Sequence, residues 1–305
     1  MDFEIAIIGG GPAGLTAGLY AARARRKVVL FEGEGIGGQA ATTDRVANYP
    51  GFPDEIGGFE LTARMEEQAK KLGLEVVYSK VTGLSAENRA FMLETSKGNY
   101  TAKKVIVASG VSPKKLNVPG EDEFRGGGVS YCATCDGAFF RDKEVLVVGG
   151  GDSAVEEAIF LTRFAKQVGI VHRRDELRAT KIVQEEAEAN PKIKFFYNKV
   201  VTELAGGDSL EKAILKDVKS GTIEEVPTSG VFIYIGSLPR TEFLSGLVEL
   251  TPEGYLATDE RMRTSRPGLF AAGDVRAKSL RQIVTAVADG AIAAVEADRE
   301  LGAGS

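Results

Sequence analysis

The residues that build metal centres are nearly missing: the chain of 305 residues has one histidine, His172, and two cysteines, Cys132 and Cys135. A zinc site draws four ligands from such residues, so none is expected, and a structural disulfide framework is equally out of reach. Surplus positive charge is also absent. Lys plus Arg number 38 against 43 Asp plus Glu, a net charge of −5, which argues against nucleic acid as a partner because that binding rests on excess cations. No apolar run approaches the ~20 residues that cross a bilayer. The acidic start Met1-Asp2-Phe3-Glu4 runs directly into a strand pattern, unlike a signal peptide. A soluble cytoplasmic protein with no membrane partner is expected, large enough for two domains at roughly 150 residues each.

Glycine is plentiful, at 37 residues, about 12% against an ordinary ~7%, and it sits in short clusters between apolar runs. These clusters mark a repeat. Glu4–Ile8 reads as a buried strand, followed by Gly9-Gly10-Gly11-Pro12-Ala13-Gly14, a helix from Leu15 to Arg25, and a second strand, Lys27–Phe31, ended by Glu32. The order recurs with Glu144–Val148, Gly149-Gly150-Gly151-Asp152-Ser153-Ala154, a helix from Val155 to Phe164, and Gln167–Val171 ended by His172. Each is a βαβ unit. A later pair matches as well: Val105–Ser109 before Gly110-Val111-Ser112-Pro113, and Val231–Ile235 before Gly236-Ser237-Leu238-Pro239. The expected fold is α/β, with two Rossmann-like dinucleotide-binding domains, the second inserted into the first. Residues 1–115 and 245–305 form the outer domain and 116–244 the inner one. The periodicity of 59–72, ending at Gly73, predicts an amphipathic helix; 74–78 and 91–95 alternate as strands, and 281–301 reads as a terminal helix.

The two glycine turns call for different ligands. In Gly9-x-Gly11-x-x-Gly14 the glycines allow the sharp turn, the approach of a pyrophosphate and helix–strand packing, while the helix N-terminus offers free N–H groups to phosphate. Glu32 is placed to accept hydrogen bonds from both ribose hydroxyls. In the second turn, Gly149, Gly151 and Ala154 occupy the equivalent places, and the acid is replaced by His172, Arg173 and Arg174. Arg178 falls one helical turn after Arg174. Guanidinium groups pair with a 2′-phosphate that a carboxylate would repel. A flavin dinucleotide on the first turn and NADPH on the second is the simplest assignment, with hydride transfer between them.

Cys132 and Cys135 form a Cys-x-x-Cys pair inside the inner domain, 14 residues before Gly149. That spacing suits a dithiol that opens and closes by thiol exchange, and Asp136 beside it is placed to give and take the proton.

The residues Cys132-Ala133-Thr134-Cys135-Asp136-Gly137, the run from Gly149 to Ala158, His172-Arg173-Arg174-Asp175, Gly37-Gly38-Gln39 and Ala272-Gly273-Asp274-Val275 together resemble the low-molecular-weight bacterial thioredoxin reductases. The resemblance implies FAD in the outer domain, NADPH in the inner one with Gly236 at its edge, a homodimer, and thioredoxin as disulfide substrate. It implies flavin contacts from Gly38, Gln39, Asn48, Gly273, Asp274, Arg281 and Gln282. It also implies that Cys135 is the sulfur nearer the flavin and Cys132 the one that attacks thioredoxin. Dithiol and NADPH share a domain and each must reach the flavin, so the inner domain is expected to rotate between half-reactions. The sequence departs from the family at Gly127, where an arginine that helps dock thioredoxin is common, at Arg240, where asparagine is usual, and over Lys278–Leu280. Phe139, Phe140 and Arg141 are candidate partner contacts. Other readings are a reductase of another small disulfide protein, a flavin-dependent dithiol oxidase, and a non-catalytic redox sensor. Arg173, Arg174 and Arg178 speak against the oxidase, which needs no NADPH.

Overall fold

The computed structural model describes residues 2–302 except 44, 45, 47, 88, 89 and 245; the side chains of Glu87 and Cys135 also lie outside the described set. The chain divides into two compact units, residues 1–112 with 238–305, and residues 113–237.

The first unit opens with β1 (Phe3–Ile8), α1 (Pro12–Arg23), β2 (Val28–Glu32), α2 (Gly38–Ala41), α3 (Gly58–Lys71) and β3 (Glu75–Tyr78). It continues through β4 (Val81–Glu87), β5 (Ala90–Thr95), β6 (Gly98–Val107) and β7 (Val111–Pro113). The second unit runs from β8 (Val129–Ser130) through α4 (Ala133–Asp136), β9 (Glu144–Gly149), α5 (Asp152–Leu161), β10 (Gln167–His172), α6 (Lys181–Ala189) and β11 (Ile193–Tyr197). It then adds β12 (Lys199–Gly206), β13 (Leu210–Asp217), β14 (Ile223–Pro227) and β15 (Gly230–Tyr234), and β16 (Ser237–Pro239) leads from its last residue back into the first unit. β17 (Leu269–Ala271) and α7 (Ile283–Gly302) return to the first unit.

In the first unit β3, β2, β1, β6 and β17 form a parallel sheet. Its strands β1, β2 and β17 are apolar and buried almost throughout, as a sheet covered on both faces requires. β6 does double duty: its first half pairs antiparallel with β5, Thr95 opposite Gly98, and its second half pairs parallel with β17, Val105 opposite Leu269. In the second unit the parallel order is β11-β10-β9-β15-β8, and a separate antiparallel sheet, β12-β13-β14, follows. The repeat therefore reaches beyond the two βαβ units: after its third parallel strand each half carries a three-stranded antiparallel piece, β4-β5-β6 in the first, where β6 is also the fourth parallel strand, and the separate β12-β13-β14 in the second. In both halves the glycine turn leaves the first strand where neighbours lie on both sides, the switch point at which such sheets bind ligands.

Apolar side chains sandwich each sheet. On one face of the first unit Ile5, Ile7, Leu15, Ile106 and Phe270 pack under α1 and α7, and on the other Phe31, Leu93, Val105 and Leu244 pack together. Gly290 of α7 meets α1 so closely that a Cβ there would stand 2.1 Å from the Ala13 carbonyl oxygen. The second unit repeats the plan with Val147, Leu161, Ile170 and Phe232 on one face, and Leu146, Val171, Leu215 and Ile233 on the other.

Two expectations change. The compact units divide at 112/113 and 237/238, against expected boundaries of 115/116 and 244/245; within 238–244 Arg240 N donates to Gly110 O at 3.1 Å and Leu244 is buried in the first unit's core. Residues 174–178 form no helix. They are a bend whose far end is drawn back when Arg178 N donates to Gly150 O at 2.6 Å. Among the described residues no helix is long and apolar enough to cross a membrane, and no group of three or more His, Cys, Asp and Glu side chains is arranged to hold a metal.

Candidate active site

Around the first turn, α1 begins at Pro12, whose missing N–H costs nothing at a helix start. A Cβ on Gly14 would lie 1.9 Å from Gly9 O, so the helix can rise beside the strand only with glycine there. At Gly11 the same construction meets nothing within 4 Å, leaving the mouth of the turn open to a ligand. Other predicted contacts converge on it. Gly38, with φ +54°, places its would-be Cβ 3.4 Å from Gly11 Cα, and that of Gly273 falls 2.8 Å from Ala13 Cβ. Glu32 Oε2 accepts from Gly10 N at 2.7 Å, while Oε1 accepts from Glu34 N and Gly35 N at 2.6 and 3.1 Å. Three of a carboxylate's roughly four acceptor positions are thus taken. One acceptor position of Glu32 remains open.

Unsatisfied buried atoms test whether this surface suits a flavin dinucleotide. Asp274 Oδ1 and Arg281 Nε are both buried without a hydrogen-bond partner, a state that costs free energy unless a ligand relieves it. Burial pushes the Asp274 carboxyl above the usual carboxylate range, while Lys278 and Arg281 pull it back. Arg281 lies over the Tyr255 ring at 4.3 Å, a neighbour the sequence did not signal. Gln282 Oε1 accepts from Asn48 Nδ2 at 3.1 Å, and Gln39 Nε2 donates to Val111 O at 2.8 Å. Two departures find places here. Lys278, half-buried, pairs with Asp289 at 2.9 Å, the same carboxylate that accepts from Gly273 N and Arg276. Arg240 pairs with Glu34 at 2.8 Å. The residues fit a dinucleotide with a polar, hydrogen-bonding body.

The second turn is built alike. Gly151 faces open space at the start of α5, and a Cβ on Gly150 would strike the His172 ring at 2.3 Å. Behind the turn Arg178 N and Ala179 N both donate to Gly150 O, and Thr180 N donates to Asp152 Oδ1 at 2.7 Å. This loop carries Arg173, Arg174 and Arg178 with their side chains exposed, together near Gly149–Ala154 though not by the helical spacing expected. His172 itself is buried and its Nε2 is unpartnered. Burial first, then Arg178, Arg174 and Arg173, hold its pKa below the ordinary histidine value. Gly236, φ +117°, continues from β15 beside Gly149, whose would-be Cβ lies 2.5 Å from Tyr234 O. Exposed cations at a helix start fit a phosphorylated nucleotide.

Cys132 is disulfide-bonded; the Cys135 side chain lies outside the described residues, and its backbone is in α4. Ties from three directions hold this segment. Ala133 N donates to the Tyr234 hydroxyl at 2.8 Å, which joins the dithiol to the strand end beside the second turn. Tyr131 OH donates to Glu121 at 2.6 Å. Ser130 Oγ reaches Asp136 Oδ2 at 2.6 Å. Burial first, then the bond to Glu121, raise the Tyr131 pKa, so its hydroxyl keeps its proton. Sequence reasoning missed Ser130, Glu121 and Tyr234, since one serine, one glutamate and one strand tyrosine carry no motif. Of the candidate partner contacts, Phe139 is 74% exposed while Phe140 is buried against Phe232. Arg141 stacks over Phe164.

A family model for pyridine nucleotide-disulphide oxidoreductases matches residues 3–290. The chain is 51% identical to a thioredoxin reductase of Peptoclostridium litorale over 303 residues, covering 97% of this chain and 96% of that one. Among solved structures it is similar to the thioredoxin reductase of Lactococcus lactis, with a TM-score of 0.97, 46% identity and 99% of each chain covered. It is also similar to that of T. acidophilum, with a TM-score of 0.94, 35% identity, and 98% of this chain and 99% of that one covered. The chain belongs to the pyridine nucleotide-disulphide oxidoreductase family, in its thioredoxin reductase branch, and is an NADPH-dependent flavoprotein oxidoreductase.

Proposed function

We propose that this protein reduces the disulfide of thioredoxin with electrons from NADPH, as a homodimer in the cytoplasm. The observation that carries the reading is a disulfide-bonded Cys132 in the same unit as a glycine turn flanked by exposed arginines, while the other unit offers orphaned buried polar atoms beside its own turn.

FAD, when bound, supplies two-electron transfer between a nicotinamide and a disulfide. Gly9, Gly11, Pro12, Ala13 and Gly14 would hold its pyrophosphate, Glu32 its ribose, and Gly38, Gln39, Asn48, Gly273, Asp274, Arg281 and Gln282 the remainder. Gly149, Gly151, Asp152, Ser153 and Ala154 cradle the NADPH pyrophosphate with Gly236 at the edge, and Arg173, Arg174 and Arg178, backed by His172, take the 2′-phosphate. The reduced Cys132 thiolate attacks one sulfur of the partner disulfide, forming a mixed disulfide and releasing the other sulfur as thiolate. Cys135 then attacks Cys132, re-forming the enzyme disulfide and freeing the second partner sulfur. The partner gains two electrons and two protons, and Asp136 holds and moves the proton at this centre. Because a protein-sized disulfide and the flavin cannot meet the same sulfurs at once, residues 113–237 reorient between half-reactions.

The test is a visible spectrum of the purified protein, followed by NADPH oxidation on adding oxidised thioredoxin. A flavin spectrum and thioredoxin-dependent NADPH consumption are expected. Consumption with glutaredoxin but not thioredoxin would move the substrate assignment, and oxygen consumption without NADPH would favour a dithiol oxidase.

A further inference from the structure

Ser130 ends β8 and is almost wholly buried, 4% exposed. Its Oγ lies 2.6 Å from Asp136 Oδ2, 3.0 Å from Cys132 N and 3.2 Å from Cys132 O. A hydroxyl has one hydrogen and two acceptor lone pairs. The Cys132 N–H donates to one lone pair, so the hydroxyl hydrogen goes either to the Asp136 carboxylate or to the Cys132 carbonyl. The carboxylate is nearer, and an ionised acceptor makes the stronger bond. When Asp136 gains a proton, its own O–H donates to the same Oγ, and the serine hydrogen turns to Cys132 O. One oxygen thereby serves both protonation states with no heavy atom displaced. The backbone closes the ring, since Asp136 N donates to Cys132 O at 3.1 Å.

We propose that Ser130 is the positioning residue of Asp136, holding its carboxyl against the backbone of Cys132 throughout the proton cycle; the role rests on the reading of Asp136 as the acid–base group. Ser130 is the side chain hydrogen-bonded to this carboxyl. Tyr234 of β15, which feels both Asp136 and Glu157 of α5, accepts from Ala133 N. Tyr131 is committed to Glu121, and the 3₁₀ turn Gly137–Phe140 packed after α4 has no titratable side chain. Cys132, disulfide-bonded here, becomes a titratable neighbour of the carboxyl when the disulfide is reduced.

The experiment compares the pH profile of steady-state thioredoxin reduction in the flavin-loaded parent, Ser130→Ala, Ser130→Thr and Asp136→Asn. Flavin reduction by NADPH is followed in parallel. The bond to the ionised carboxylate is the stronger of the two that Ser130 makes, so in Ser130→Ala the limb that Asp136→Asn abolishes should move to higher pH. Flavin reduction should be unaltered, Ser130→Thr should restore the parent profile, and Asp136→Asn should lose the limb. Ser130→Gly is the second hydroxyl-free variant if the alanine form accumulates poorly. A limb lost in Asp136→Asn but unmoved in the hydroxyl-free variants overturns the role of Ser130 alone, as does an equal shift with threonine. A limb that persists in Asp136→Asn overturns the acid–base reading of Asp136 and the positioning role with it.

Discussion

Arg173, Arg174 and Arg178 are exposed while His172 beside them is buried under Gly150, so the four basic residues before α6 answer to different measurements. Replacing Arg173 and Arg174 with alanine should raise the Michaelis constant for NADPH about 10²-fold and leave that for NADH nearly unchanged, since only the former has the phosphate to lose. His172 has its pKa depressed from an ordinary 6.5, so the unfolded chain takes up the proton first. Its contribution to stability is complete above about pH 6.5, drains away as pH falls toward the lower folded value, and is constant below it. Thermal unfolding of the ligand-free protein between pH 8 and 5 should show this loss, and His172→Gln should remove it. At Gly127 a Cβ would find only Phe124 O, at 3.8 Å. An arginine therefore has space there, and Gly127→Arg should lower the Michaelis constant for thioredoxin without altering flavin reduction.

The elements that sequence made legible are those whose pattern is strictly local. Both glycine turns, the buried strands before them and the amphipathic α3 follow from residues a few positions apart, and α7 falls within two residues of its expected span. The 174–178 stretch has helical charge spacing, but Arg178 N is more usefully spent on Gly150 O, a contact no local window contains. β12–β14 went unread because a short sheet of mixed polar strands is held by pairing partners and not by a long apolar run. The segment between the units and the dithiol is similar. Glu121, 2% exposed, accepts from Leu116 N, Asn117 N and Tyr131 OH, so one carboxylate secures both the inbound connection and the residue before Cys132. Glu121→Ala leaves three part-buried donors without their acceptor and should cost about 1–3 kcal/mol, read as a lowered melting temperature together with slower thioredoxin turnover.

At the scale of the molecule, the insertion of one nucleotide-binding unit in another was readable from the repeat, because a strand followed by Gly-x-x-Pro closes each copy and the stretch after the second is too short to fold alone. The antiparallel piece that each copy carries was not, since nothing in its composition repeats. The proposed reorientation of residues 113–237 predicts that an engineered disulfide locking the two units will slow steady-state thioredoxin reduction by at least about tenfold; undiminished turnover in the locked protein would remove the need for it. The connections themselves are adjacent. β7 and β16 pair, Arg240 N bonds Gly110 O on the outer side, and Lys114 N bonds Gly236 O on the inner side. To the outer unit the whole insert is thus equivalent to a hairpin loop, whose closure entropy grows only logarithmically with its length. The inner module can be exchanged between relatives as a cassette, or replaced by a tight turn, without asking the host sheet to reach any farther.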